Sequence, residues 1–286
     1  MQPMILIADS GSTKTDWSLV QGATVTATAA TQGINPFYQS DDDIARIVGG
    51  ELLPQIGDAN AKQVEKVCFY GAGVRPEMRE RVKAVLSAAL HVDEVEVEGD
   101  LLGAARALLG TKEGIACILG TGSNSGLYDG KEIVANTPPL GFILGDVGSG
   151  AVMGKLFIGA LCKGLLPDGL KEEYMATTRQ DVAAIIDAVY RKPLPNRYLA
   201  QTTRFIHQHL GIPEVEHLVV DNFRPFFRRN LVQYRRPDLP VCAIGSIAWH
   251  FRSQFAQAAH AEGFVVGTVV QSPMEGLVRF HGREAT

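Results

Sequence analysis

The chain has 286 residues, 46% of them hydrophobic and 20% charged, with a formal net charge of −4. That length supports about two domains with sizeable cores, and the acidic balance recruits no nucleic acid. No apolar stretch approaches the ~20 residues needed to span a bilayer. Met1-Gln2-Pro3 leads straight into a strand-like run without the basic start of a signal peptide. A cytoplasmic protein with neither nucleic-acid nor membrane partners is expected. Cys68, Cys117, Cys162 and Cys242 are scattered, with no CxxC pair. Three of them lie in apolar strand-like runs, the pattern of buried thiols in a reducing compartment.

Ile5–Ala8, Trp17–Val20 and Thr24–Ala29 read as a three-stranded meander. Asp41–Leu53 reads as a helix, Val67–Tyr70 as a buried strand ending in Gly71-Ala72-Gly73, and Glu77–Leu90 as a helix with Met78, Val82, Val85 and Ala89 on one face. Val95–Glu98 is a short strand, and Asp100 opens a helix over Leu101–Leu109. The pattern then restarts. Gly114–Leu119, Ser125–Asp129 and Lys131–Ala135 form a second meander, followed by helices over Ser149–Lys163 and Leu170–Met175. Thr178 with Asp181 reads as a capping box for a helix striped by Val182, Ile185, Ile186 and Val189. Phe223–Tyr234 is helical, Val241–Ile244 a strand, Ser246–His260 a helix, Phe264–Val270 a strand and Pro273–Phe280 a closing helix. Repetition of strand-strand-strand-helix-strand-helix predicts a duplicated α/β unit. The expected division is a first lobe over 1–110, with the closing segment 273–286 packed back on it, and a second lobe over 111–272.

Two turns stand out. Asp9-Ser10-Gly11-Ser12-Thr13-Lys14-Thr15-Asp16 follows Met4-Ile5-Leu6-Ile7-Ala8, and Gly120-Thr121-Gly122-Ser123-Asn124-Ser125 follows Ile115-Ala116-Cys117-Ile118-Leu119. Glycine lets a backbone approach and cradle phosphate with its N–H groups, hydroxyls add donors, and an aspartate can hold magnesium directly or through water. Either turn alone also suits a tight hairpin, and Lys14 suits a γ-phosphate contact or a solvated turn. Neither is a Walker A loop, and the second is not a dinucleotide fingerprint. Asp100 sits where a helix N-cap belongs. Asn35 suits a turn and Asp146 a helix cap. Arg224-Pro225-Phe226-Phe227-Arg228-Arg229 reads as a partly exposed helix face, and His207 and His209 as a solvated or packed pair with no acidic partner nearby in sequence.

Both turns resemble the two phosphate motifs of the superfamily of actin, hsp70 and the sugar kinases. Gly33-Ile34-Asn35-Pro36-Phe37, Gly99-Asp100-Leu101-Leu102-Gly103-Ala104, Gly145-Asp146-Val147-Gly148-Ser149-Gly150 and Gly245-Ser246-Ile247-Ala248 extend this nearly end to end. They resemble the BadF/BadG/BcrA/BcrD ATPase family and, within it, the N-acetylglucosamine kinase-like proteins. That resemblance implies an α/β fold of two ribonuclease H-like lobes with an interlobe nucleotide cleft. It also implies ATP and Mg2+ as cofactors. ATP would be bound by Gly11, Ser12, Thr13, Lys14, Gly120, Thr121, Gly122, Ser123, Gly245 and Ser246, with Asp9 near the metal. Asp100 would be the catalytic base, and Asn35, Asp100, Leu140, Gly141 and Asp146 the sugar contacts.

The implied reaction is phosphorylation of the C6 hydroxyl of an amino sugar such as N-acetylglucosamine or glucosamine, by an enzyme expected to be a homodimer. Two positions depart from the family pattern. Val147 stands where a glutamate is usual, and Leu140 where some relatives carry tryptophan; both bear on which sugar is taken. Two other readings share the fold. One is an ATPase that activates an acyl-CoA dehydratase or reductase through an iron–sulfur cluster, which needs cysteine ligands at a shared surface. The other is a non-catalytic sugar or nucleotide sensor, which has no need of Asp100 as a base.

Overall fold

The structure, a computed structural model, describes residues 2–11 and 13–284. The chain divides into two compact units. Unit 1 comprises Met1–Lys112, Gly130–Glu132 and Ser272–Thr286; unit 2 comprises Glu113–Asp129 and Ile133–Gln271.

Unit 1 carries β1 (Met4–Ser10), β2 (Lys14–Gln21), β3 (Thr24–Gln32), β4 (Val64–Gly71) and β5 (Glu94–Gly99) in the order β3-β2-β1-β4-β5. The first three strands pair antiparallel, whereas β1 with β4 and β4 with β5 run parallel. Central β1 is apolar from Met4 to Ala8 because both of its faces are covered there. Leu6 and Ala8 join Trp17, Phe69, Ile44 and Leu86 on one side; Ile5 and Ile7 join Val20, Tyr70, Leu277 and Val278 on the other. The second face is closed by the C-terminal helix Met274–Glu284. There buried His281 lies 2.8 Å from the Tyr70 hydroxyl, which accepts a hydrogen bond from Arg106.

Both edges of this sheet are occupied. On β5, Val95 and Val97 point to the core, while Glu94, Glu96 and Glu98 meet Lys66, Arg106 and Arg79. On β3 the Gln55 amide takes the N–H and C=O of Ala30, and Glu51 takes the N–H of Gln32. Charged or capped edges of this kind resist pairing with stray strands.

Unit 2 repeats the plan. It carries β6 (Gly114–Leu119), β7 (Ser123–Tyr128), β8 (Ile133–Asn136), β9 (Val241–Ile244) and β10 (Val266–Val270) in the order β10-β9-β6-β7-β8. Read from β8, this is the same order and the same mixture of antiparallel and parallel pairs as in unit 1. The duplicated α/β unit expected from the sequence is present. The core lies between this sheet and the helices Gly150–Cys162, Pro213–Arg229 and Arg252–Ala261, with Phe223, Phe226, Phe227 and Phe255 fully buried.

Several helices differ from their sequence reading. The Asp41 helix is α-helical only to Ile47; Val48–Leu52, which contains Gly49-Gly50, widens into a π turn. Met78 falls in a 3-10 turn, and the buried stripe of the next helix is Val82, Leu86 and Leu90. Thr178 opens no helix. It ends Leu170–Thr178 with its hydroxyl on the Tyr174 carbonyl, and the next helix, Val182–Tyr190, is capped by Asp181, which accepts from the Ala184 N–H. Ile186 is 53% exposed and leaves the apolar stripe. The helix read as Phe223–Tyr234 begins ten residues earlier, at Pro213. The one read as Ser246–His260 breaks at Phe251. Among the described residues no helix is long and apolar enough to cross a membrane.

Candidate active site

In unit 1 the first glycine- and hydroxyl-rich turn joins β1 to β2. The Gly11 N–H donates to the Lys14 carbonyl at 2.9 Å, leaving the side chains of Thr13 and Lys14 exposed. Ser12 lies outside the described residues. Lys14 pairs with Asp16 at 2.5 Å. Asp9, on the last turn-ward residues of β1, is pushed up to about 7 by burial, by Asp100 and by Asp16, against a smaller opposing effect of Lys14.

Asp100 begins the helix Asp100–Leu109, and Gly99 holds the N-cap position with no side-chain cap. The N-cap expected of Asp100 itself is therefore displaced by one residue. Its carboxylate accepts the backbone N–H groups of Leu101 and of Asp100, yet burial still raises it above the ordinary aspartate range. Burial disfavours a charged carboxylate, and a second carboxylate nearby adds to the effect. Asp9 and Asp100 form such a pair. Their all-oxygen donor set suits a hard divalent cation such as Mg2+, which is bound by one or two carboxylates with waters and phosphate.

Asn35 is 8% exposed. Its side-chain oxygen accepts the Phe37 N–H at 3.0 Å, and its own N–H donates to Gln39 at 2.7 Å. The Gln39 amide also donates to the Gly33 carbonyl, and Arg81 holds the Pro36 and Gln39 carbonyls. Gly73 makes room for this loop: a Cβ there would stand 2.3 Å from the Asn35 oxygen, and its φ is +77°.

In unit 2 the second turn joins β6 to β7 through Gly120, Thr121 and Gly122, closed by the Gly120 N–H on the Gly122 carbonyl at 2.9 Å. The first N–H groups of the Gly150–Cys162 helix, from Gly150 and Ala151, donate to the Gly120 and Thr121 carbonyls at 2.9 and 3.1 Å. Ser149 caps that helix through the Val152 N–H. The Thr121 side chain is exposed, whereas Ser123 is buried and its hydroxyl donates to the Val147 carbonyl at 2.8 Å. The Ser123 N–H is taken by the Asp146 carboxylate, which burial raises above its ordinary range. Both Ser123 donors thus have partners inside the unit.

Asp146 has φ +47°, Leu140 +63° and Gly141 +73°. The loop between them is closed by the Asp146 N–H on the Pro139 carbonyl at 2.7 Å. Leu140, Ile143 and Leu144 are 62%, 76% and 79% exposed. Val147 is partly buried and packs against the unit 2 core. At the end of β9, Gly245 has φ +120° and a Cβ there would lie 2.3 Å from the Leu119 carbonyl, so the position admits only glycine. Gly245 is also the N-cap residue of Ser246–His250.

Spacing along the chain does not reveal Ser10, Thr15, Gln39, Arg81 or Ser149 as supports of these loops, although Ser10 and Thr15 lie within the first motif. The fold also gives His209 an acidic partner, Glu173 at 3.0 Å, where none was expected; His207 packs on His250 and Phe251. Cys68, Cys117 and Cys242 are buried and Cys162 partly so. No cluster of three metal-ligating side chains occurs among the described residues.

Two units of one topology, each with a glycine-rich turn after its first strand, define the actin/hsp70/sugar kinase class of fold. Neither a family model nor a curated protein matches the chain. A solved structure from Porphyromonas gingivalis, provisionally named an N-acetylglucosamine kinase, is 51% identical over 99% of this chain and 100% of that one, with a TM-score of 0.96. A second of the same provisional name, from Chromobacterium violaceum, is 18% identical over 98% and 99% of the two chains, with a TM-score of 0.74. A ROK hexokinase from Thermus thermophilus shares the fold at 13% identity over 98% and 97%, with a TM-score of 0.53. This chain belongs to the family of N-acetylglucosamine kinase-like proteins.

Proposed function

We propose that the protein is an ATP-dependent sugar kinase that transfers the γ-phosphoryl group of ATP to the C6 hydroxyl of an amino sugar such as N-acetylglucosamine or glucosamine. The 51% identity to a protein of that provisional name supports the reaction class. The observation that carries the chemistry is Asp100, a carboxylate with raised proton affinity at the start of a helix and beside Asp9. A carboxylate so tuned can accept the hydroxyl proton as the oxygen attacks phosphorus. Phosphoryl transfer otherwise asks for positioning and charge neutralisation.

Asp9 is the residue that would hold Mg2+, which when bound neutralises phosphate charge. Gly11, Ser12, Thr13 and Lys14, with Gly120, Thr121, Gly122 and Ser123, would hold the phosphates. The hydroxyl of Thr121 is available, while Ser123 would act by shaping the turn. Gly245 and Ser246 would meet the nucleoside. Asn35, Leu140, Gly141 and Asp146 would orient the sugar, through planar polar groups and an apolar surface at Leu140. On this reading the compartment is the cytoplasm and the assembly a homodimer, the latter checked by light scattering. A coupled ADP-release assay across a panel of sugars tests the reaction: sugar-dependent ADP release with a phosphorylated sugar as product supports it. ATP hydrolysis indifferent to every sugar overturns it.

A further inference from the structure

Ser10 and Thr15 stand opposite each other at the mouth of the first turn, the last residue of β1 paired with the second of β2. Both are fully buried, and their hydroxyl oxygens are 2.6 Å apart. A buried hydroxyl left unpaired is costly, and here the partners come from the chain beyond β3. The Ile34 N–H donates to Ser10 Oγ at 2.9 Å and reaches Thr15 Oγ1 at 3.2 Å. Ser10 Oγ also reaches the Ile34 carbonyl at 2.9 Å, and Thr15 Oγ1 the Gln32 carbonyl at 3.1 Å. Two hydroxyls carry two protons, and one must lie in the short contact between them. Either Thr15 donates to Ser10 and Ser10 to Ile34, or Ser10 donates to Thr15 and Thr15 to Gln32. In both arrangements the turn hydroxyls hold the backbone just before Asn35. At Gln32 the strand ends, so these bonds replace the ladder bonds that the chain has lost.

We propose that Ser10 and Thr15 are positioning residues that lock the Asn35 loop to the first phosphate turn, so that the sugar contact is set relative to the nucleotide contact. The inference rests on the kinase reading above. Neither hydroxyl touches substrate; each acts through backbone. Valine fills the volume of Thr15 without the hydroxyl, and serine keeps the hydroxyl without the methyl, so Thr15→Val and Thr15→Ser separate bonding from fit. Ser10→Ala is the companion variant.

The experiment is steady-state kinetics with N-acetylglucosamine and ATP, with melting temperature recorded for every variant. Thr15→Val and Ser10→Ala are expected to raise the KM for sugar about tenfold and to change the KM for ATP less than threefold, and Thr15→Ser to recover the wild-type sugar KM. A purely structural role would lower the melting temperature and the active fraction, and so kcat, with both KM values unmoved. The inference is overturned by unchanged sugar KM, by equal shifts of both KM values, or by Thr15→Ser as impaired as Thr15→Val. A wild-type protein that turns over none of the sugars defeats the kinase reading itself, and this inference with it.

Discussion

The Asp146 carboxylate accepts the backbone N–H of Ser123, so the residue proposed to orient the sugar is also a strut of the second phosphate turn. A Cβ on Gly122 would lie 3.0 Å from the same carboxylate, which shows how closely the two loops are laid together. Asp146 holds a left-handed backbone that asparagine adopts more readily than alanine. Asp146→Asn keeps an acceptor for Ser123 and is expected to melt near wild type. Asp146→Ala leaves that N–H unpaired at a cost of ~1–3 kcal/mol and is expected to melt several degrees lower, with sugar KM raised in both. Equal melting temperatures for the two variants would show the strut to be absent.

Asp9 and Asp100 make the ligand-free protein sensitive to pH. In the folded chain Asp9 holds its proton up to about 7, against 3.8 for the unfolded group. Between those values the folded state binds more protons, so stability falls as pH rises. Asp100 acts in the same direction. With chelator present, the wild-type melting temperature is expected to decline from pH 4 to pH 7 more steeply than that of Asp9→Asn. Parallel curves would mean that Asp9 is not strained by its surroundings.

Asp100→Asn is expected to preserve the fold and ATP binding while lowering kcat by ~10²–10⁴, the usual worth of a general base. Calorimetric ATP affinity beside turnover is the measurement; wild-type turnover would remove Asp100 from the chemistry.

Thr121→Val removes an exposed hydroxyl from the second turn at nearly constant volume. A lost hydrogen bond to a charged group costs ~1.5–3 kcal/mol, so ATP should bind more than tenfold weaker, with sugar affinity unchanged. Titration calorimetry with each ligand alone reads both.

Two glycines give opposite expectations. Gly245→Ala meets both a φ of +120° and the Leu119 carbonyl at 2.3 Å, and should cost ~2–4 kcal/mol. Gly159, in the Gly150–Cys162 helix, has nothing within 4 Å of a built Cβ; alanine there should stabilise by ~0.5–1 kcal/mol. Melting curves of the two variants should shift in opposite directions.

Buried strands were the most readable part of the sequence. Gly114–Leu119 and Val241–Ile244 were read with the bounds they have, because an apolar run between turn residues has few other uses. The first half of the Pro213–Arg229 helix was missed. Glu214, Glu216 and His217 interrupt its apolar run, while Val215, Val219 and Phe223 repeat every fourth residue and face the core. Thr178 and Asp181 offer rival caps three residues apart, and only the end of the preceding helix decides between them. The two turns were readable because close backbone approach needs glycine and hydroxyls locally. Their supports were not. Asp146 with Ser123, Ser10 with Ile34 and His209 with Glu173 join residues 23, 24 and 36 apart in number, and no local pattern encodes such pairs.

Unit 1 is assembled from chain segments separated by nearly the whole of unit 2, and on one face of its sheet the Met274–Glu284 helix completes a cover begun by the Asp100–Leu109 helix. During synthesis Ile5, Ile7 and Val20 therefore wait, part-covered, until Met274–Glu284 has left the ribosome. Unit 2 lies between those segments and can condense first. A nascent chain halted before Met274 would lack Leu277 and Val278 from this core and would present a half-finished sheet to chaperones.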